Sequence, residues 1–240
     1  MKIDLSIIIP LFNEEKNIWP IFEEIKKINN DNFHIEIILV NNGSTDKTDE
    51  KIDEIIKDQN QNNTKNTTIR KLYIKKNVKY DGGIYRGLEK AGGRFLSWTH
   101  GDLQTPIDDV IKLFKIVKNE KKIFGKGIRV NNRGFDFIVS AFHENLATII
   151  LGKKMKEVNA QPKIFNKEDF NLFKNPPKNY TCIDTYFYYI ALINKLKIIE
   201  MDVVFKNRIY GSSKWKNNFF TFIKHLIFNS LYLIKLRIYK

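Results

Sequence analysis

The chain has 240 residues, 42% of them hydrophobic, enough for one sizeable α/β domain with an appendage, or at most two small domains. Its single cysteine, Cys182, excludes an intrachain disulfide framework and suits a reducing cytosol. A net charge of +14 asks for anionic company in a phosphate-bearing substrate, acidic lipid or nucleic acid, although Lys, Asn and Ile recur all along the chain and dilute that signal.

In chain order, Met1-Lys2-Ile3-Asp4 leads straight into a predicted strand, Leu5-Ser6-Ile7-Ile8-Ile9-Pro10, with neither the basic region nor the long apolar run of a secretory signal. Leu11-Phe12-Asn13-Glu14-Glu15 is the loop after it. Ile18, Ile21, Phe22, Ile25 and Ile28, at three- and four-residue spacing, predict a helix over 17–28. A second apolar run over 34–40 ends in Asn41-Asn42-Gly43-Ser44-Thr45-Asp46, where Thr45 or Asp46 is placed to cap a helix carrying Ile52, Ile55 and Ile56. Residues 58–68, rich in Asn, Gln and Thr, are expected as a surface loop, and 69–74 as a third strand. Asp81-Gly82-Gly83 opens a helix that Gly92-Gly93 closes, and Phe95-Leu96-Ser97-Trp98 reads as a short buried strand. Strands and helices alternating at this spacing predict an open, mostly parallel sheet flanked by helices, with ligands at the carboxyl ends of its strands. The loops after Pro10, Val40 and Trp98 then converge, and Asn13, Glu14, Asn41, Asn42 and Asp102 surround one crevice.

Beyond Trp98, the residues His100, Asp102 and Gln104 stand at alternate positions, and extended backbone there projects all three to one side. A hard divalent cation carrying phosphate oxygens favours a carboxylate and other oxygen donors. A polar turn with a solvated Asp102 is the plain alternative.

The second half is less regular. It predicts a helix over 110–117, a strand over 123–128, a basic loop over 129–134 and a helix over 136–151 ended by Gly152. Extended segments over 155–165 and 198–205 flank a helix over 183–194, and Arg208-Ile209-Tyr210-Gly211-Ser212-Ser213-Lys214 is a basic loop. With no repeat and no clear linker, the expected partition is one body over 1–215 and a tail over 216–240. That tail mixes Phe, Leu and Ile with Lys224, His225, Lys235 and Arg237 and lacks the uncharged run of a spanning helix. It suits a basic amphipathic helix lying in an anionic membrane interface, the alternative being a helix packed on the body or on a partner. The charge is accompanied by no aromatic RNP-like strand, zinc spacing or helix-turn-helix signature, so nucleic acid is not an expected partner.

The segment Ile7-Ile8-Ile9-Pro10-Leu11-Phe12-Asn13-Glu14 resembles the first strand and loop of the family 2 glycosyltransferases, GT-A-fold enzymes that use nucleotide-sugar donors. Val40-Asn41-Asn42-Gly43-Ser44-Thr45-Asp46 is similar to their second loop, and Asp102-Leu103-Gln104 with Pro106 to their metal loop. Asp102-Leu103-Gln104, with Arg208, Gly211, Ser213 and Lys214, resembles the dolichyl-phosphate mannosyltransferase-like branch, which transfers a sugar to a polyprenyl phosphate, and Asn159-Ala160-Gln161-Pro162-Lys163 followed by Ile164-Phe165 looks like a segment of its prokaryotic members. The motifs fall in order between residue 5 and about residue 215.

The resemblance implies a Rossmann-like GT-A sheet with a C-terminal helical extension, a UDP- or GDP-linked sugar donor, a polyprenyl phosphate acceptor and a Mg²⁺ or Mn²⁺ cofactor. It implies Asp102, Gln104 and His100 as metal ligands and Pro10, Phe12, Glu14 and Asn42 as nucleotide contacts. Arg208, Ser213 and Lys214 become a phosphate clamp, with Arg129 and Arg133 as further cations near the acceptor. Asp184 lies roughly where related transferases with sugar acceptors keep a base, a helix-start carboxylate being the other reading. The implied location is peripheral, on the cytoplasmic face of a membrane, with a membrane protein or a second copy as possible company. Two alternatives accompany this: a family 2 enzyme acting on a saccharide hydroxyl, and a non-catalytic GT-A-like membrane protein. The chain departs from the pattern at Asn41 and Asn42, where acidic residues are usual, and at His100, where the metal loop usually begins with Asp. Imidazole suits Mn²⁺ better than Mg²⁺, and the exchange removes a negative charge.

Overall fold

A computed structural model of the chain describes residues 2–28, 32–62, 66–131, 135–174, 176, 182–208, 210 and 219–238. Its elements in order are β1 (Leu5–Leu11), α1 (Ile18–Lys26), β2 (Ile35–Asn42), α2 (Thr48–Asn62), β3 (Thr67–Ile74), α3 (Lys79–Lys90), β4 (Phe95–Trp98), α4 (Ile107–Val117), β5 (Ile123–Arg129) and α5 (Phe135–Leu151). There follow β6 (Lys163–Asn166), a 3₁₀ segment (Lys167–Phe173), α6 (Ile183–Ile193), β7 (Lys197–Val203) and α7 (Phe219–Ile238).

Seven strands form one sheet in the order β3-β2-β1-β4-β6-β5-β7. Every pairing is parallel except the two made by β6, which runs antiparallel between β4 and β5. The β-branched runs explain why the middle strands are buried on both faces. Ile7 and Ile9 of β1 join the core beneath α1, α2 and α4, while Ile8 points through the sheet into the core under α3, α5, α6 and α7. The chain turns back on itself between β1 and β4, so the crevice beyond their carboxyl ends lies at a topological switch point.

Three local expectations need correction. Residues 58–68 are not one loop: α2 runs on to Asn62 and β3 starts at Thr67. The buried Gln59 amide explains it, donating to the Thr67 carbonyl (2.9 Å) and accepting from the Ile69 N–H (2.8 Å), which holds the last turns of α2 on the sheet edge. The long extended stretch over 155–165 shrinks to the four residues of β6 plus its approach. Backbone after Trp98 is not extended either, because residues 101–105 are turns and bends and Leu103 takes a φ of 57°.

Helix α7 packs against α5. Tyr232, Leu233 and Leu236 are buried in the same core as Ala147 and Leu151. The Arg237 guanidinium donates to the Leu151 carbonyl (3.0 Å), and the Cys182 thiol to Asn229 Oδ1 (3.1 Å). No described helix is long and apolar enough to cross a membrane.

Candidate active site

Two loops are laced together at the carboxyl ends of β1 and β2. Asn13, at φ 56°, donates its N–H to Ser44 Oγ (3.1 Å) and accepts the Thr45 N–H on its side chain (2.8 Å). The Glu14 N–H reaches Thr48 Oγ1 (2.9 Å), and the Glu15 N–H reaches Asp46 Oδ2 (3.2 Å). Asp46 also takes the Thr48 N–H (3.0 Å) and so serves the helix-start role expected of it. These bonds fix the loop bearing Phe12 and Glu14 against the one bearing Asn42 without help from a ligand. Glu14 accepts from the Asn17 amide (2.5 Å), and burial followed by the nearby Asp102 charge raises its carboxyl above the usual range.

The two asparagines that replace the expected acids are both buried and both satisfied. Asn41 donates to Asp49 Oδ1 (2.7 Å) and accepts the Ser44 N–H (3.0 Å). Asn42 donates to the Lys79 carbonyl (2.8 Å) and accepts the Val78 N–H (3.0 Å). An amide can do both where a carboxylate only accepts, so at this position the side chain closes the turn leading into α3. Pro10 lies beside it: a Cβ on Gly83 would meet both Pro10 Cβ and Asn42 Nδ2 at 3.3 Å.

The turn after β4 carries the acidic centre. Gly101 lets it approach β1 closely, since a Cβ there would meet Leu11 Cδ2 at 2.5 Å and the Pro10 carbonyl oxygen at 3.1 Å. Asp102, largely buried, accepts the Gln104 N–H on Oδ1 (3.1 Å). Its Oδ2 meets Arg208 Nη2 at 3.1 Å, and Arg208 Nε donates to Gln104 Oε1 (3.0 Å). The segment bearing Arg208 is strapped across this turn: the Lys206 N–H donates to the Gln104 carbonyl (2.8 Å), and Gln104 Nε2 to the Lys206 carbonyl (3.1 Å). Further back, the Asn131 amide brackets Phe205, donating to its carbonyl (2.8 Å) and accepting its N–H (2.9 Å). His100 stacks edge-on to Tyr80 at 5.3 Å between centroids, and its Nδ1 is buried with no partner among the described residues. Burial lowers its pKa below the ordinary imidazole value, against the pull of Asp102, so near neutral pH it presents a lone pair.

These donors suit a divalent cation in kind: one carboxylate, one amide oxygen and one neutral imidazole with an unpartnered nitrogen, a set better matched to Mn²⁺ than to Mg²⁺. The two oxygen donors already hold a cation, the Arg208 guanidinium. The turn, rather than the alternation of an extended strand, is what gathers Asp102 and Gln104.

A buried polar floor lies behind. Asp184, in the first turn of α6, accepts Trp98 Nε1 (3.1 Å) and Gln161 Nε2 (2.8 Å) on Oδ1, with Lys163 Nζ 3.8 Å away. Lys163 is fully enclosed and donates to the carbonyls of Val158 (2.8 Å) and Ala160. Burial drives its ammonium down to about 7. Asp81 is pushed up to about 7 by the same cause, although it accepts the Ile183 N–H (3.1 Å). Arg129 pairs with Glu157 at 2.5 Å, and its Nη2 has no partner among the described residues. Composition and spacing do not single out Trp98, Gln161, Lys163 and Asp81 as a unit. The sequence signal for part of it is the segment Asn159-Ala160-Gln161-Pro162-Lys163, which leads into β6 and carries both Gln161 and Lys163. Ser213, Lys214 and Arg133 lie outside the described residues.

A family model described as glycosyl transferase family 2 matches residues 6–210. A dodecaprenyl-phosphate galacturonate synthase of Rhizobium johnstonii is 24% identical over 218 residues, spanning 89% of this chain and 62% of its own length. A dolichyl-phosphate beta-glucosyltransferase of Trichomonas vaginalis is 27% identical over 254 residues, with 98% and 71% covered. This chain therefore spans roughly two thirds of the length of these curated relatives. Among solved structures, the mannosyltransferase PcManGT from Pyrobaculum calidifontis, in complex with GDP-Man and Mn²⁺, aligns with a TM-score of 0.65 at 13% identity over 95% of this chain and 63% of that one. Glucosyl-3-phosphoglycerate synthase from Mycobacterium tuberculosis, in complex with UDP, reaches 0.65 at 14% identity, over 97% and 80%. At such identities the structural likeness establishes the fold, a GT-A sheet, as expected from the motifs.

Proposed function

The chain belongs to glycosyl transferase family 2, and from that premise we propose that it moves a sugar from a UDP- or GDP-linked donor to a polyprenyl phosphate. The observation that carries the proposal is the convergence of Glu14, Asp102, Gln104, His100 and Arg208 at the switch point. The names of the relatives, which act on dodecaprenyl and dolichyl phosphates, support the acceptor class.

In this reading Pro10, Phe12, Glu14 and Asn42 line the nucleoside side of the crevice. Asp102, Gln104 and His100 hold a divalent cation, with Mn²⁺ favoured over Mg²⁺, whose charge supports the departing diphosphate. Arg208 places a second positive charge there, and Ser213 and Lys214 follow it in the chain. Arg129, whose Nη2 has no partner among the described residues, faces the acceptor phosphate as a further cation. A phosphate monoester is already ionised at neutral pH, so its oxygen attacks the anomeric carbon without a strong base. The decisive experiment is a screen of radiolabelled UDP- and GDP-sugars over a membrane extract. Label in the organic phase is expected; label confined to aqueous polymer sinks the lipid-acceptor reading.

The ordered, buried Asp184 favours one second reading, transfer to a saccharide hydroxyl with Asp184 as base. Asp184→Asn separates the two. Transfer within about tenfold of wild type is expected for a phosphate acceptor, whereas a loss above roughly a hundredfold points to the hydroxyl.

We also assign the protein a peripheral place on the cytoplasmic face of a membrane, with 1–215 as the transferase body and 216–240 as the lipid-facing tail. Ile227, Phe228, Leu231, Ile234 and Ile238 are exposed along α7, as are Phe142 and Ile149 on α5, beside Lys235 and Arg237. Insertion of two such residues contributes about 3 kcal/mol or more. Ile227→Glu with Leu231→Glu is therefore expected to weaken binding to anionic liposomes more than about tenfold; unchanged flotation removes this surface from the membrane. Truncation after residue 215 is a poorer test, because it also strips Tyr232, Leu233 and Leu236 from the core.

A further inference from the structure

The Arg208 guanidinium occupies the two oxygen donors, Asp102 Oδ2 and Gln104 Oε1, that the proposed function gives to a divalent cation. Both contacts are direct, at 3.1 and 3.0 Å, and the Asp102 side chain is only 11% exposed, leaving little of its carboxylate open to a second partner. Asp102 Oδ1 is engaged by the Gln104 N–H. Asp102 is also the acidic member of the proposed donor set, so one negative charge serves whichever cation is present. We infer that Arg208 is an internal stand-in for the metal: guanidinium and divalent cation occupy Asp102 and Gln104 in turn, and entry of the ion releases Arg208 towards the diphosphate. The inference rests on the assignment of Asp102 and Gln104 as metal ligands.

Local construction supports an exchange rather than a wholesale opening. The backbone of the Arg208 segment is pinned two residues earlier, by the reciprocal Lys206–Gln104 bonds. It is pinned again at Phe205 by the Asn131 amide. The guanidinium can therefore leave the carboxylate while its Cα stays over the turn, and its charge remains within reach of an incoming diphosphate. In the absence of metal the same pair spares Asp102 an uncompensated buried charge beside Glu14, whose carboxyl already feels it. Metal and donor then bind with positive cooperativity, because a diphosphate gives the displaced Arg208 a new partner.

The test is Mn²⁺ binding to the full-length protein by calorimetry and electron paramagnetic resonance, without nucleotide, on wild type, Arg208→Gln and Lys206→Gln. Lys206 is an exposed neighbour of like charge, and its substitution controls for the loss of one positive charge nearby. Arg208→Gln is expected to bind Mn²⁺ about tenfold more tightly than wild type, as suits the removal of one charge-assisted pair, and Lys206→Gln within about twofold. Addition of UDP or GDP is expected to tighten Mn²⁺ binding in wild type and to do so less in Arg208→Gln. Equal or weaker Mn²⁺ binding by Arg208→Gln overturns the exchange, showing that arginine and metal share the carboxylate at the same time, while the metal assignment stands. Binding that survives Asp102→Asn unchanged, in either background, overturns the metal assignment and the exchange with it.

Discussion

Asp102→Ala is expected to lower sugar transfer at least about a thousandfold while the protein still folds. The carboxylate is the one acidic donor of the proposed metal set, whose other members, the Gln104 amide and the His100 imidazole, bring no charge to hold a cation against water. Its structural duties are slight by comparison. It accepts one N–H in its own turn and pairs with Arg208, a side chain one third exposed. Loss of those contacts costs on the order of 1 kcal/mol, so the melting temperature moves by only a few degrees. Turnover with the best donor, measured beside a thermal melt, checks both halves. Activity within tenfold of wild type contradicts the assignment of Asp102 as a metal ligand.

The second large effect belongs to the floor. Asp184→Ala is expected to destabilise the fold by about 3 to 5 kcal/mol, because it leaves buried donors and a buried ammonium without their acceptor. Trp98 Nε1 and Gln161 Nε2 both lose a bond at 2.8 to 3.1 Å, and Lys163 loses its nearest counter-charge. The pH dependence follows from Lys163, whose ammonium burial has brought from 10.5 to about 7. Across that window the unfolded chain binds the proton and the folded one does not, so this group makes stability rise with pH from about 7 towards 10.5. The Asp184 charge favours the protonated form. Without it the folded value falls further, the window extends to lower pH, and the deficit of Asp184→Ala is larger at pH 6 than at pH 9. Urea midpoints at the two pH values measure this. An equal deficit at both removes Lys163 as the cause, and a deficit below 1 kcal/mol removes the buried network. Asp184→Asn keeps an acceptor for Trp98 and is expected to recover part of the loss.

The first half of the fold was legible because its signals are local. Ile7, Ile8 and Ile9 are β-branched and buried on both faces of the sheet, and the Ile18 to Ile25 stripe of α1 follows helical spacing. Convergence of the loops after β1, β2 and β4 followed from topology alone. What escaped is what depends on distant partners. Asparagine- and glutamine-rich chain reads as loop, yet Gln59 makes the end of α2 helical by bonding to β3. Leu103 with positive φ cannot be read from an Asp-Leu-Gln triplet, although it decides where Asp102 and Gln104 point. A lysine at the start of the short strand β6 gives no sign that it is fully enclosed; Lys163 is, because the carbonyls of Val158 and Ala160 and the Asp184 carboxylate come to it. The Arg208–Asp102 pair joins the segment after β7 to the turn after β4, and no periodicity links the two.

The seating of α7 on α5 has a mechanical consequence. With Tyr232, Leu233 and Leu236 in the main core and Arg237 fastened to the Leu151 carbonyl, the helix is a rigid lever and not a tether. Whatever surface engages its outer face fixes the tilt of the entire sheet. Unseating the helix would strip Tyr232, Leu233 and Leu236 from the core it shares, so under the proposed membrane seating anchorage and thermal endurance rise and fall together.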